Sequence, residues 1–237
     1  MITNRVAAIV PALNEEDNVA NVLRVLLKSK YIDEIILVDD GSTDRTAEIG
    51  REMGVKVISL PKRGGSGKAN AMNEGVKNTD AEIIVFFDAD LKNLSPEHVL
   101  SLVEPVLKKE AAMCVGIRER RGAGKIAEFL IKLDPLTAVA GERAMERRVF
   151  EGIPMNLVKG FMIETALNYY CLVNKLKVRY VRLKGLSITI KEKKWGVLKG
   201  FLNRLKMFLE LLKARFIILR RKKDFKINQN NVSQNNS

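Results

Sequence analysis

Ile83-Ile84-Val85-Phe86-Phe87-Asp88-Ala89-Asp90 is the stretch on which the fold turns. Five apolar residues without a polar break read as a strand covered on both faces, as in a parallel sheet flanked by helices. Two carboxylates then leave the strand two residues apart. Their mutual repulsion near a desolvated strand end is costly unless a cation lies beside them. A hard divalent ion, Mg2+ or Mn2+, that keeps several waters and bridges phosphate oxygens is the simplest such cation.

The residues upstream repeat the pattern. Arg5–Pro11, Glu34–Asp39 and Val55–Leu60 read as strands, and 82–87 is the fourth. Segments of helical spacing near Glu15–Ser29, Thr43–Met53 and Ser66–Asn78 lie between them. This alternation predicts right-handed βαβ units and a largely parallel α/β sheet. Ligands of such sheets bind at the carboxyl ends of strands, so the residues just after each strand carry the information. Pro11-Ala12-Leu13-Asn14-Glu15 follows the first strand and Asp39-Asp40-Gly41-Ser42-Thr43-Asp44 the second, so three acidic loops share one sheet edge. Asp40-Gly-Ser-Thr-Asp also reads as a turn and a helix cap, with Ser42 or Thr43 supplying the capping oxygen.

Gly64-Gly65-Ser66-Gly67-Lys68 invites a phosphate-loop reading. Lys62 stands where that loop needs its first Gly, and Ala69 where it needs Ser or Thr. The segment instead reads as a Gly-rich lead into a helix, with Lys68 near a nucleotide.

Downstream, Ser95-Pro96 caps and opens a helix, and Ala111–Ile117 reads as a strand. Gly122-Ala123-Gly124 marks a joint, followed by helical stretches near Lys125–Ala138 and Phe161–Leu176 and strands over Val178–Leu183 and Leu186–Ile190. From Trp195 to Arg221 the leucines fall at alternating intervals of four and three, the pattern of one long amphipathic helix. Ile227–Ser237, nearly all Asn, Gln and Ser, reads as a disordered tail.

The expected organisation is a domain over 1–190, with one half over 1–117 that carries the three acidic loops and a second half over 118–190. A basic helical extension over 191–226 and the tail over 227–237 follow it.

Charge supports that division. The chain of 237 residues carries a net charge of +13. Thirteen Lys or Arg against Glu192, Glu210 and Asp224 place ten of those charges within 191–226. A near-neutral body with a basic appendage points to an anionic surface, such as a membrane touched by 195–223, with dimerisation along the leucine seam as the competing reading. Nucleic acid is not expected, since no recognition motif accompanies the basic segment. Cys114 and Cys171 sit among apolar neighbours and read as reduced, buried thiols. The opening apolar segment is too short for a signal peptide, and no apolar run approaches the ~20 residues that span a bilayer. The expectation is a cytoplasmic protein, peripheral on the inner face of the cell membrane.

Taken together, Val10-Pro11-Ala12-Leu13-Asn14-Glu15, Val38–Asp44, the Gly67-Lys68 element with Ala71 and Gly75, and Phe87-Asp88-Ala89-Asp90 resemble the family 2 glycosyltransferases of the GT-A fold. The resemblance implies a metal-dependent transfer of sugar from a nucleotide-sugar donor, with UDP the expected nucleotide. It implies that Pro11, Ala12, Leu13, Glu15 and Asp40 frame the nucleoside and that Lys68 and Ala89 contribute to the donor site. Asp88 would contact ribose or metal-bound water, and Asp90 would ligate the metal.

Gly141-Glu142-Arg143-Ala144 and Gly160-Phe161-Met162-Ile163-Glu164 resemble acceptor-side blocks of the family, and Gly124-Lys125 an acceptor-phosphate loop. Glu164 is thereby the candidate general base of an inverting displacement, although alone it also reads as a solvated helix residue. Relatives that glucosylate phosphoglycerate carry a late His as metal ligand, whereas the only His here is His98. The acceptor is expected to be polyprenyl-linked or a small phosphorylated molecule. A nucleotidyltransferase is the alternative, set back by the absence of a phosphate-gripping loop after the first strand.

Overall fold

The computed structural model describes residues 5–61, 67–118, 140–154, 162–188, 220 and 222–225. Four strands, β1 (Val6–Ala12), β2 (Glu34–Asp39), β3 (Lys56–Ser59) and β4 (Ile83–Phe86), run parallel. Helices α1 (Val19–Leu27), α2 (Thr46–Glu52) and α3 (Lys68–Lys77) connect them. β1 and β4 lie at the centre, which is why their sequences are almost continuously apolar: every β4 residue is buried, and six of the seven in β1.

Beyond β4 the order changes. After the short β5 (Leu91–Lys92), α4 (Pro96–Leu107) leads to β6 (Met113–Arg118), and β7 (Arg143–Glu146) inserts antiparallel between β4 and β6. β8 (Val178–Leu183) closes the sheet beside β6, giving the order β3-β2-β1-β4-β7-β6-β8. β7 has no β-branched residue and only four positions, so no strand periodicity announced it. The helices α5 (Arg147–Glu151) and α6 (Met162–Val173) pack behind β7 and α3.

His98 completes a capping box at the start of α4, its Nδ1 accepting from the Ser95 amide at 3.2 Å while Nε2 meets Lys184 O at 2.9 Å. Both ring nitrogens are thus used in holding α4. Neither Ser42 nor Thr43 caps α2, whose N-cap position is Arg45 without a side-chain cap; Asp44 accepts from the Thr46 amide at 3.0 Å in the turn that leads into it.

Of the expected Leu186–Ile190 strand, Ser187–Ile188 forms β9, which pairs antiparallel with β5 and brings that stretch against the residue following Asp90. A 3-10 turn at Lys222–Phe225 docks on α6: Phe225 is fully buried, edge-on to Tyr169 at 5.4 Å, and Asn174 Nδ2 donates to its carbonyl at 2.7 Å. The expected helix over Lys125–Ala138, the tail, and the Trp195–Arg221 helix apart from Arg220 lie outside the described residues. Among the described residues, no helix is long and apolar enough to cross a membrane.

Candidate active site

A cleft of about 460 Å³ opens at the carboxyl ends of β1, β2 and β4. Pro11, Ala12, Leu13 and Glu15 line it from β1, Asp40 from β2, and Asp88, Ala89 and Asp90 from β4, with Gly67, Lys68 and Ala71 closing it from α3. The size suits a nucleotide-sized ligand. Local hydrogen bonds shape its rim. Asn14 N donates to Ser42 Oγ at 2.9 Å, Thr43 N to Asn14 Oδ1 at 2.9 Å, and Glu15 N to Thr46 Oγ1 at 2.8 Å. Asp39 turns inward to accept from the Ser42 amide at 3.1 Å. Asp40 accepts from the Gly67 amide at 3.0 Å, which ties the second loop to the start of α3. Gly67 has φ +86°, a conformation that a side chain would strain.

The floor of the cleft is a charge network. Lys68 Nζ lies 2.7 Å from Asp88 Oδ1 and 3.1 Å from Glu164 Oε1, the latter from the first turn of α6. Burial works against the Lys68 ammonium, but the two carboxylates outweigh it and raise its pKa. Burial likewise pushes the Asp88 carboxyl up, yet the Lys68 charge and hydrogen bond hold it below its ordinary value. Gly141 explains how Asp88 fits: a Cβ there would stand 2.4 Å from Asp88 Oδ2, so the carboxylate rests against bare backbone. Glu164 is 2% exposed, and its Oε2 has no hydrogen-bond partner.

Asp90 differs from Asp88. Its carboxyl is raised, first by burial and then by the negative charges of Asp88 and Glu15. Asp90 lines the cleft beside the acidic Asp88 and Glu15, whose charges outweigh the opposing pull of Arg118. An oxygen-only donor of this kind suits Mg2+ or Mn2+. Among the described residues no group of three His, Cys, Asp or Glu converges as a ready metal cage, which leaves room for waters and phosphate oxygens in the coordination sphere.

On the far side of β4 the expected acceptor residues behave differently. Arg143 is fully buried: its Nε donates to Ala140 O at 3.1 Å, and its Nη1 lies 3.4 Å from both Glu164 O and Asn168 Oδ1. It braces the 140–143 turn against α6. Glu142 is also 0% exposed, and burial, followed by the Asp88 charge, pushes its carboxyl up to about 7. Gly124, Lys125, Gly160 and Phe161 lie outside the described residues. Arg118, the last residue of β6, stands 3.4 Å from Glu142 and acts on Asp88 and Asp90 through its charge. Sequence reading passed over it, although the rule applied to β1, β2 and β4, inspecting the residue at the carboxyl end of each strand, marks Arg118 equally.

Comparisons with known proteins agree with this geometry. A 4,4'-diaponeurosporenoate glycosyltransferase of Staphylococcus haemolyticus is 33% identical over 144 residues, covering 59% of this chain and 38% of that protein. A glucosyl-3-phosphoglycerate synthase of Mycolicibacterium smegmatis is 30% identical over 190 residues, covering 68% of this chain and 62% of that one. The chain therefore spans less than two thirds of the length of either relative. The crystal structure of glucosyl-3-phosphoglycerate synthase from Mycobacterium tuberculosis with Mn2+, UDP and glucosyl-3-phosphoglycerate superposes with a TM-score of 0.66 at 26% identity, over 79% of this chain and 73% of that one. This likeness matches the expected GT-A architecture, a mostly parallel sheet flanked by helices. The Glycosyl transferase family 2 description matches residues 7–167, and the chain belongs to that family.

Proposed function

We propose that the protein transfers a sugar from a UDP-sugar to a phosphorylated acceptor in a reaction that requires Mg2+ or Mn2+. One observation carries this reading: a single cleft gathers the β1, β2 and β4 loops around Asp90, while Lys68 fixes Asp88 and Glu164 beneath it. Pro11, Ala12, Leu13, Glu15 and Asp40 would hold the nucleoside, and Ala89 would form the floor beneath the ribose. Asp90, with Asp88 behind it, would hold the metal, which neutralises charge on the leaving diphosphate when bound.

In the transfer, the bond between the anomeric carbon and the diphosphate oxygen breaks and a bond to the acceptor hydroxyl oxygen forms. The hydroxyl proton passes to Glu164, whose Oε2 is unpartnered, and the nucleoside diphosphate departs. A single displacement of this kind inverts the anomeric centre. Gly141, Glu142 and Arg143 shape the acceptor side, with Arg143 acting through the turn it braces. Gly124 and Lys125 are assigned to the acceptor's phosphate on family resemblance.

A small acceptor is supported by the mycobacterial enzyme, whose structures hold phosphoglyceric acid or glucosyl-3-phosphoglycerate. A lipid acceptor is the second reading. The staphylococcal relative is, by name, a 4,4'-diaponeurosporenoate glycosyltransferase, and Leu13 at the rim of the cleft is 43% exposed. On that reading the basic 195–223 stretch would rest on the cytoplasmic face of a membrane, as a monomer or as a dimer.

The test is incubation of the full chain with UDP-glucose and Mn2+, with phosphoglyceric acid or polyprenyl phosphate, followed by mass spectrometry and NMR of the product. A glucosylated product that needs the metal is expected. Failure of UDP to raise the melting temperature in Mn2+, together with absence of product, would refute the reading. A retained anomeric configuration would remove Glu164 from the base role.

A further inference from the structure

Three buried polar atoms outside the donor cleft lack hydrogen-bond partners and belong to one ion pair: Glu142 Oε1, Glu142 Oε2 and Arg118 Nη1. The pair joins the carboxyl end of β6 to the turn before β7, on the side of β4 opposite the nucleoside loops. A carboxylate with no route to solvent, facing one guanidinium at 3.4 Å, is a poor device for stability, since burial costs the carboxylate more than so loose a contact returns. An apolar pair of the same volume would pack the sheet edge as well. The arrangement makes sense if the guanidinium is needed where it stands.

Its position indicates the use. Arg118 is partly exposed, and its charge acts on both Asp88 and Asp90. Glu142 approaches the Nε of Arg118, while Nη1 is buried without a hydrogen-bond partner, a donor that no group of the protein takes up. A guanidinium held along one edge keeps a planar fork for oxyanions on the other. Such a group takes an anionic oxygen beside the point of transfer, from either the departing diphosphate or an acid group of the acceptor.

We propose that Glu142 is a positioning residue that holds Arg118 as an oxyanion-binding fork at the acceptor edge of the cleft. The inference rests on the glycosyltransferase reading above and adds to it which pair receives the negative charge. Glu142 acts only through Arg118, so removal of its charge should matter only while Arg118 is present.

The experiment compares the wild type with R118A, R118K, E142Q, E142D and the E142Q/R118A double variant. Calorimetry gives Kd for UDP with Mn2+ and for phosphoglyceric acid, and steady-state kinetics with UDP-glucose gives KM and kcat. R118A should weaken one of the two anions at least tenfold, and which of them weakens identifies the source of the oxyanion. R118K should recover little of that loss because a lysine has no fork. E142Q should weaken the same anion, E142D should restore part of it, and E142Q should add nothing in the R118A background. Additive losses, or a lowered melting temperature with Kd and KM unchanged, would overturn the proposal while leaving the function intact. A wild type that neither binds UDP nor transfers sugar would overturn the function itself.

Discussion

The two halves of the cleft are built on opposite principles. On the nucleoside side the loops after β1 and β2 satisfy one another: Asn14, Ser42, Thr43, Thr46 and Asp44 exchange local hydrogen bonds, leaving Glu15 and Asp40 at the wall of the cleft. On the other side, Glu142 and Glu164 are buried and Arg118 is half-buried, each with a polar atom unpartnered. The first half is a finished socket for a ligand of fixed shape. The second stores unsatisfied charge, as expected where charge moves during a reaction.

The contrast can be broken at its centre. Asp90→Ala should lower metal-dependent transfer by about a thousandfold or more, the scale on which electrostatic groups of an active site act. Thermal unfolding should stay within a degree or two of the wild type, because Asp90 is held above its ordinary pKa by burial and by its acidic neighbours. Activity retained in Mn2+ would remove the metal from Asp90. Gly141→Ala should have a smaller effect, since its Cβ would press on the Asp88 carboxylate and displace it from Lys68. A fall of about ten- to a hundredfold in kcat/KM, equivalent to roughly 1–3 kcal/mol of misfit, is expected. Normal kinetics would show that Asp88 does not need its seat against the backbone.

The smallest effect concerns pH. Glu142 is raised from 4.5 to about 7 in the folded chain, so between those values the native state binds more protons than the unfolded state. Its contribution to stability is therefore fully present below about pH 4.5 and is lost as pH rises through 7. Urea unfolding at pH 5 and pH 8 should show Glu142→Gln losing less stability over that interval than the wild type, by about 2–3 kcal/mol. Equal losses would place the charge of Glu142 in contact with water.

What the sequence disclosed follows the same division. β2 and β8 fall at their expected bounds because apolar runs ending at turn residues leave little freedom of register. The residues expected to bind the donor all line one cleft, since all but Lys68, which opens α3, stand at or just after the carboxyl end of a strand. The acceptor side was less legible. β7 carries Arg143 and Glu146 at its ends, side chains that read as surface until the turn and α6 enclose Arg143. Arg118 looks like one cation among several in Arg118-Glu119-Arg120-Arg121, and only the pairing of β6 with β7 shows that it faces a buried carboxylate. Long-range burial of this kind has no local signal.

The docking of Phe225 gives the basic segment an unexpected boundary condition. Its flanks are both fastened to the folded body, through β9 pairing at Ile188 and through the aromatic contact with Tyr169 on α6, the helix that carries Glu164. A truncation that removes the basic segment together with Phe225 would therefore unplug the core as well. An informative deletion is internal: residues 189–219 exchanged for a short Gly-Ser linker, with the Phe225 plug left seated. Vesicle binding measured on that variant would report on the charge of the basic segment alone.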